Sequence, residues 1–128
     1  MGTTLLNGAA LHYRCDGDRG RPTVVLSNSL GTDLSMWDAQ AAVLAPRFHV
    51  LRYDTRGHGG SEAPAGPCTI GLLGADLLAL LDHLDIERAH VVGLSMGGVI
   101  GQWLAAHAPE RLHKLVLANT AARIGSQE

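Results

Sequence analysis

Val91-Val92-Gly93-Leu94-Ser95-Met96-Gly97-Gly98-Val99-Ile100-Gly101-Gln102 is the stretch on which the reading of the fold turns. A β-branched run meets a serine held between glycines, and apolar residues at helical spacing follow (Val99, Ile100, Trp103, Leu104). Residues 93–97 match G-x-S-x-G, and a strand before with a helix after is the context that gives this motif meaning. A turn from strand directly into helix is sharp and forces the serine into a strained backbone region. Side chains two positions before or after it would collide with the neighbouring strand or helix, so Gly93 and Gly97 are glycines, and Gly98 is expected to let the helix lie close to the sheet. The strain would lift the Ser95 hydroxyl above the sheet, at the positive end of a helix. The Met96 amide would then point to where an oxyanion forms. Two other readings of the turn are an idle serine and a phosphate cradle. The second lacks both G-x-G-x-x-G after the first strand and G-x-x-x-x-G-K-[ST].

Working outward, the chain alternates strand and helix. Residues 3–6 and 10–15 flank the turn pair Asn7-Gly8 and read as a hairpin. Residues 23–28 and 48–54 read as strands, the first an apolar run of the kind buried in a parallel sheet. Residues 36–45 read as a short helix ending near Pro46. Residues 70–84 place Leu73, Leu77, Leu80, Leu81 and Leu84 on one helical face, with Asp76 and Asp82 off it. Residues 89–95 and 113–120 are two more strands. The expected fold is α/β, a mostly parallel sheet of about six strands with helices on both faces.

Composition narrows the class. The chain has 128 residues, one domain at most, with 46% apolar residues and 16 glycines, so it can build a core. A formal net charge of -2 gives no electrostatic case for nucleic acid or an anionic membrane. Cys15 and Cys68 are too few and too far apart for a secreted scaffold or a metal site, so no metal is expected. Residues 1–18 lack the pattern of a signal peptide, Leu6 stands where a myristoylation signal needs Ser or Thr, and no apolar run reaches a membrane span. A cytoplasmic protein is the expectation.

A second oxyanion donor would come from the loop after residues 23–28. In many hydrolases with this elbow that loop carries His-Gly-x, and the amide of x completes the hole. Asn28-Ser29 fills the His-Gly place, which makes Leu30 the candidate donor; the other reading is an ordinary loop packed by Trp37. Ser27–Gln40 (SNSLGTDLSMWDAQ), Arg52–Pro64 (RYDTRGHGGSEAP) and Gly93–Gly125 resemble the 3-oxoadipate enol-lactonases, a branch of the α/β-hydrolases. The resemblance runs from about residue 10 to 125. The elbow and the D-x-R-G-x-G-x-S-type pattern place the superfamily; Ser-Asn-Ser-Leu-Gly-Thr and Ala118–Gly125 (ANTAARIG) narrow the branch. It implies attack by Ser95 on a small unsaturated lactone bearing a carboxylate, an acyl-enzyme released by water, and no cofactor.

The resemblance also implies a triad in chain order Ser…Asp…His. This chain reads as the first half of such an enzyme, residues 1–128 being the N-terminal part of one domain without the cap and later strands. Asn119, not a carboxylate, stands at the end of the last strand. His58, in the loop after 48–54, is a candidate for lining the pocket and less so for a general base; His83, His107 and His113 read as solvated helix residues. Asp54 and Arg56 are expected to brace their loop, and Asp33 reads as an unpaired surface carboxylate sooner than as a neighbour of the site. Trp103 is a further candidate for pocket lining, though Trp103 and Trp37 suit a core better. The expected partners are a small lactone or ester and, through the last strand, the chain's own C-terminal half or a second copy. Rival readings are a general carboxylesterase, a C–C bond hydrolase, a cofactor-free haloperoxidase, and a non-catalytic fragment or assembly module.

Overall fold

The computed structural model describes residues 2–63, 66 and 68–118. Six strands form one sheet: β1 (Gly2–Leu6), β2 (Ala9–Asp16), β3 (Thr23–Ser27), β4 (His49–Tyr53), β5 (Ala89–Leu94) and β6 (Leu112–Ala118). Their order is β1-β2-β4-β3-β5-β6. β1–β2 and β2–β4 are antiparallel, whereas β3–β4, β3–β5 and β5–β6 are parallel. The helices are α1 (Asp38–Leu44), α2 (Ile70–His83) and α3 (Met96–His107), with 3₁₀ turns at Leu34–Trp37 and Pro109–Arg111. Every expected strand and helix is present. The last strand's expected end, Asn119 and Thr120, lies outside the described residues.

Local chemistry explains the elements. Asn7 and Gly8 both take positive φ (50° and 82°), which a two-residue hairpin turn of the primed type requires. All five residues of β3 and of β4 are buried, as strands covered on both faces should be. The alternation along β3 sorts its side chains. Val24 and Leu26 pack with Trp37 and Ala41 of the α1 side. Val25 faces Leu77, Leu80 and Leu81 of α2 and Ile100 and Leu104 of α3. The Thr69 side chain caps α2 by accepting from the Leu72 amide at 3.1 Å.

The helix α3 comes unusually close to its neighbours. A Cβ on Gly101 would stand 2.6 Å from Leu115 Cδ1 of β6, and one on Gly74 of α2 would fall 2.1 Å from the Trp103 ring. Close approach of α3 to the sheet is therefore achieved at Gly101 and, at its start, Gly97. Trp103 lies in the α2–α3 seam, stacked on His107 with ring centroids 4.5 Å apart.

Asp76, read as off the leucine face of α2, is buried at its border. Its carboxylate takes two hydrogen bonds from Arg56 (2.9 Å each) and one from Asn7 Nδ2 (3.0 Å). The Arg56 guanidinium also donates to the Asn7 carbonyl at 3.0 Å. Burial of a carboxylate is tolerable when it is paired and fully hydrogen-bonded. Arg56 thus does more than brace its own loop, since it joins that loop to the hairpin turn and to α2.

At the edge of the described sheet, β6 pairs with β5 alone among the described residues. Val116 and Leu117 on it are 54% and 42% exposed. Among the described residues no helix is long and apolar enough to cross a membrane.

Two predictions arise from this packing. Asp76→Ala should destabilise the fold by about 3–5 kcal/mol, because it leaves the Arg56 charge buried and unpaired; urea denaturation of the variant measures it. Tyr53 is buried, which pushes its hydroxyl up to about 12 despite the hydrogen bond to Ser27. An unfolded tyrosine ionises near pH 10, so ionisation favours the unfolded chain first. Its contribution is intact below about pH 10 and is lost between about pH 10 and 12, at about 1.4 kcal/mol per pH unit. Denaturation midpoints against pH should show that fall, and Tyr53→Phe should remove this component of it.

Candidate active site

The topology makes a crevice before any side chain is considered. β3 and β5 are parallel neighbours, with Ser27 opposite Gly93 at their carboxyl ends. The chain leaves β3 toward α1 on one face of the sheet and leaves β5 into α3 on the other. Where successive connections diverge to opposite faces, the strand ends are left open to a ligand.

Ser95 stands at that opening. It has φ 56° and ψ −114°, a conformation side chains rarely adopt, and α3 begins at the next residue. The residue is half-buried. Its amide donates to the Ala118 carbonyl of β6 at 3.0 Å, and its carbonyl accepts from the Gly98 and Val99 amides at 3.0 and 3.2 Å. The backbone is therefore held on both sides of the strained residue. The glycines around it are required by contact. A Cβ on Gly93 would lie 2.4 Å from the Gly97 carbonyl oxygen, and one on Gly97 would lie 2.1 Å from the Ser27 carbonyl oxygen. These obstacles are backbone atoms, which do not swing aside. Met96 is the first residue of α3, so its amide has no carbonyl four residues back within the helix and points out of its start.

Because Gly97 lies directly on the Ser27 and Asn28 carbonyls, the loop after β3 begins against the elbow. Leu30 and Gly31 form a turn within this loop, with Gly31 at φ 78°. The Leu30 side chain is 69% exposed and contributes nothing to the core. Within the loop the Thr32 hydroxyl donates to the Ser29 carbonyl at 2.7 Å. Asp33 is exposed but not unpaired, contrary to expectation. It caps the 3₁₀ turn by accepting from the Ser35 amide at 2.9 Å and from the Ser35 hydroxyl. Those bonds hold its carboxyl below the usual range. Trp37 packs beneath the loop, and its indole N–H donates to Asn28 Oδ1 at 2.9 Å.

The loop after β4 forms the next wall. Asp54 is buried and accepts from the Leu34 amide at 2.7 Å and from the Gly60 amide at 2.8 Å. It braces its own loop as expected, and also reaches the loop that follows β3. Gly59, at φ 51°, lies so close that a Cβ would meet Asp54 Oδ2 at 2.4 Å and Asp33 Cβ at 2.9 Å. The His58 ring is half-buried, and its Nδ1 donates to the Arg56 carbonyl at 3.1 Å. That bond ties the imidazole to its own loop. Trp103 stands two turns along α3 from Ser95, about 12 Å by helical rise, and serves the contact with α2. His107 and His113 are exposed, as expected, but His113 stands on β6 and not on a helix, and each stacks on a neighbouring ring, Trp103 and His90 respectively.

Sequence reasoning missed Arg52 altogether. It is buried in β4, donates from Nη1 to the Leu34 carbonyl at 3.1 Å, and pairs with Asp16 and Asp38. The signal was available: an arginine inside an apolar strand must find acceptors. Among the described residues no group of three or more His, Cys, Asp or Glu is placed to hold a metal ion.

Known proteins share this architecture. Residues 22–127 match the model of the alpha/beta hydrolase fold family. The chain is 51% identical over 98% of its length to a 3-oxoadipate enol-lactonase of Acinetobacter baylyi, and covers 47% of that protein. The crystal structure of an enol-lactonase from Burkholderia xenovorans superposes with a TM-score of 0.93 at 58% identity, over 97% of this chain and 48% of that one. A hydrolase from Pseudomonas aeruginosa gives a TM-score of 0.93 at 55% identity, over 97% and 47%. The chain therefore spans about half the length of the relatives it matches. With a G-x-S-x-G turn from β5 into α3 and a family match over residues 22–127, the chain belongs to the alpha/beta hydrolase fold family.

Proposed function

We propose that the chain is the N-terminal part of a serine hydrolase of the enol-lactonase type, which opens 3-oxoadipate enol-lactone to 3-oxoadipate in aromatic catabolism. The observation that carries the reading is Ser95 at φ 56° on the strand-to-helix turn, the backbone form a nucleophile elbow takes. Identity of 51% to an enol-lactonase over nearly the whole chain supports the substrate class.

In this mechanism Ser95 Oγ attacks the lactone carbonyl while its proton passes to a base. The Met96 and Leu30 amides hold the oxyanion that forms on the carbonyl oxygen. Collapse of the tetrahedral intermediate breaks the ring C–O bond, and the enolate leaving group takes up the proton from the base and becomes the ketone of the product. Water, activated by the same base, then releases the acyl group from Ser95. His58 is tied to its own loop by the Arg56 carbonyl. In the chain order Ser…Asp…His that the resemblance implies, the base and the acid that orients it fall in the half of the enzyme beyond these residues. That continuation would also supply a strand to cover β6, where Val116 and Leu117 are exposed.

The test is made in a chain of the relatives' full length. Ser95→Ala should lower kcat on the enol-lactone by roughly 10⁴- to 10⁶-fold with the melting temperature preserved. Residues 1–128 alone should turn over the lactone poorly, since a serine hydroxyl without a base is a weak nucleophile. Unchanged turnover in Ser95→Ala would overturn the reading. Efficient turnover by the 128-residue chain would move the base to a histidine within it.

A further inference from the structure

We infer that Asn28 and Asp54 are positioning residues for the oxyanion hole: together they fix the loop that presents the Leu30 amide to Ser95. The inference rests on the reading of Ser95 and Leu30 proposed above, and names what holds the second of them.

The loop 28–33 needs an external clamp. It has one internal side-chain bond to a main-chain carbonyl, from Thr32 to Ser29, and its turn residues Leu30 and Gly31 lie at the surface. Catalysis by an amide dipole needs that amide held to a fraction of an ångström, because a displaced dipole stabilises the oxyanion less. The structure provides a clamp at each end of the loop. At the start, Asn28 is fully buried; its Nδ2 donates to the Tyr53 carbonyl at 2.8 Å and its Oδ1 accepts from Trp37 Nε1 at 2.9 Å. A carbonyl can only accept and an indole N–H can only donate, so the orientation of the amide is settled by its partners. At the far end, Asp54 Oδ1 accepts from the Leu34 amide at 2.7 Å, and Arg52 donates to the Leu34 carbonyl at 3.1 Å. The second oxygen of Asp54 accepts from Gly60, so the carboxylate is itself held.

These groups bond to the main chain on either side of the turn and to the Trp37 indole; they act through the Leu30 peptide. Asn28 is an acceptor and a donor at once, which neither an apolar residue nor aspartate reproduces. Asp54 serves two amides with two oxygens, and a carboxamide can serve only one of them.

The experiment measures kcat, KM, melting temperature and inhibition by an alkyl boronic acid, a tetrahedral mimic that binds to the serine and the hole. Asn28→Leu and Asp54→Asn are compared with wild type, with Ser95→Ala, and with Asn7→Ala. Asn7→Ala removes the part-buried hydrogen bond from the hairpin turn to Asp76 of α2 and controls for lost stability. Expected for Asn28→Leu and Asp54→Asn is a 10- to 100-fold fall in kcat with KM within about threefold, and boronate affinity reduced in proportion to kcat. Asn7→Ala should lower the melting temperature with kcat unchanged. Should Asn28→Leu fail to fold, Trp37→Phe, which deletes the indole donor together with part of the buried ring, replaces it and is read against Asn7→Ala in the same way. Kinetic constants and boronate affinity that match Asn7→Ala would overturn the inference and leave both residues a purely structural role. Retained turnover in Ser95→Ala would instead overturn the proposed function, so the two failures are distinguishable.

Discussion

Three consecutive residues at the carboxyl end of β4 hold the rest of the site in place. Arg52 donates to the Leu34 carbonyl, the Tyr53 carbonyl accepts from Asn28, and Asp54 accepts from the Leu34 amide. The contacts are short because β4 lies beside β3, and the loop after β3 has to turn back across the end of its neighbour. A loop that leaves a sheet takes its main-chain polar groups away from the ladder, and each needs a new partner where water is excluded. Here buried side chains of β4 and the residues around it are those partners. The same contacts that satisfy the loop therefore determine where its amides point.

On the other side of the crevice the constraint is steric, not polar. Ser95 has a positive φ, and the cost of such a conformation is of order 1–3 kcal/mol. It persists because β5, β6 and α3 over-determine it: the Ser95 amide is bonded to β6, its carbonyl to α3, and Gly97 touches the backbone of β3. A strained residue held in this way gives up freedom in the folded state and presents its side chain in one place. That suits a nucleophile, for which misplacement lowers the rate of attack.

The charges of the chain follow a similar division. Asp54 and Asp76 are both buried carboxylates, but they are satisfied differently. Asp54 takes main-chain amides, which fixes loops. Asp76 takes a guanidinium and an amide side chain, which joins α2 to the hairpin and to the loop after β4. That Asp54 braces its own loop was legible in the sequence; its reach to Leu34, and the role of Asp76, were not. Asp76 borders the leucine face of α2, between Leu73 and Leu80, and what makes its burial tolerable is a partner 20 residues away, Arg56, which no periodicity reveals.

Much of the fold was nevertheless present in local chemistry. Asn7-Gly8 dictated the hairpin, the apolar runs dictated the buried strands, and the glycines about Ser95 marked the turn that only glycine tolerates. These are legible because each depends on residues adjacent in the chain and on backbone sterics. The tertiary structure alone decided which loop meets the elbow and what fastens it. Asn28, Trp37, Arg52 and Asp54 converge from two different strands and a 3₁₀ turn, and Asp33 turns out to cap that turn. Hydrogen-bond partners across a sheet carry no periodic signature in sequence. They arise only when strand order sets β3 between β4 and β5, and so brings the ends of all three together.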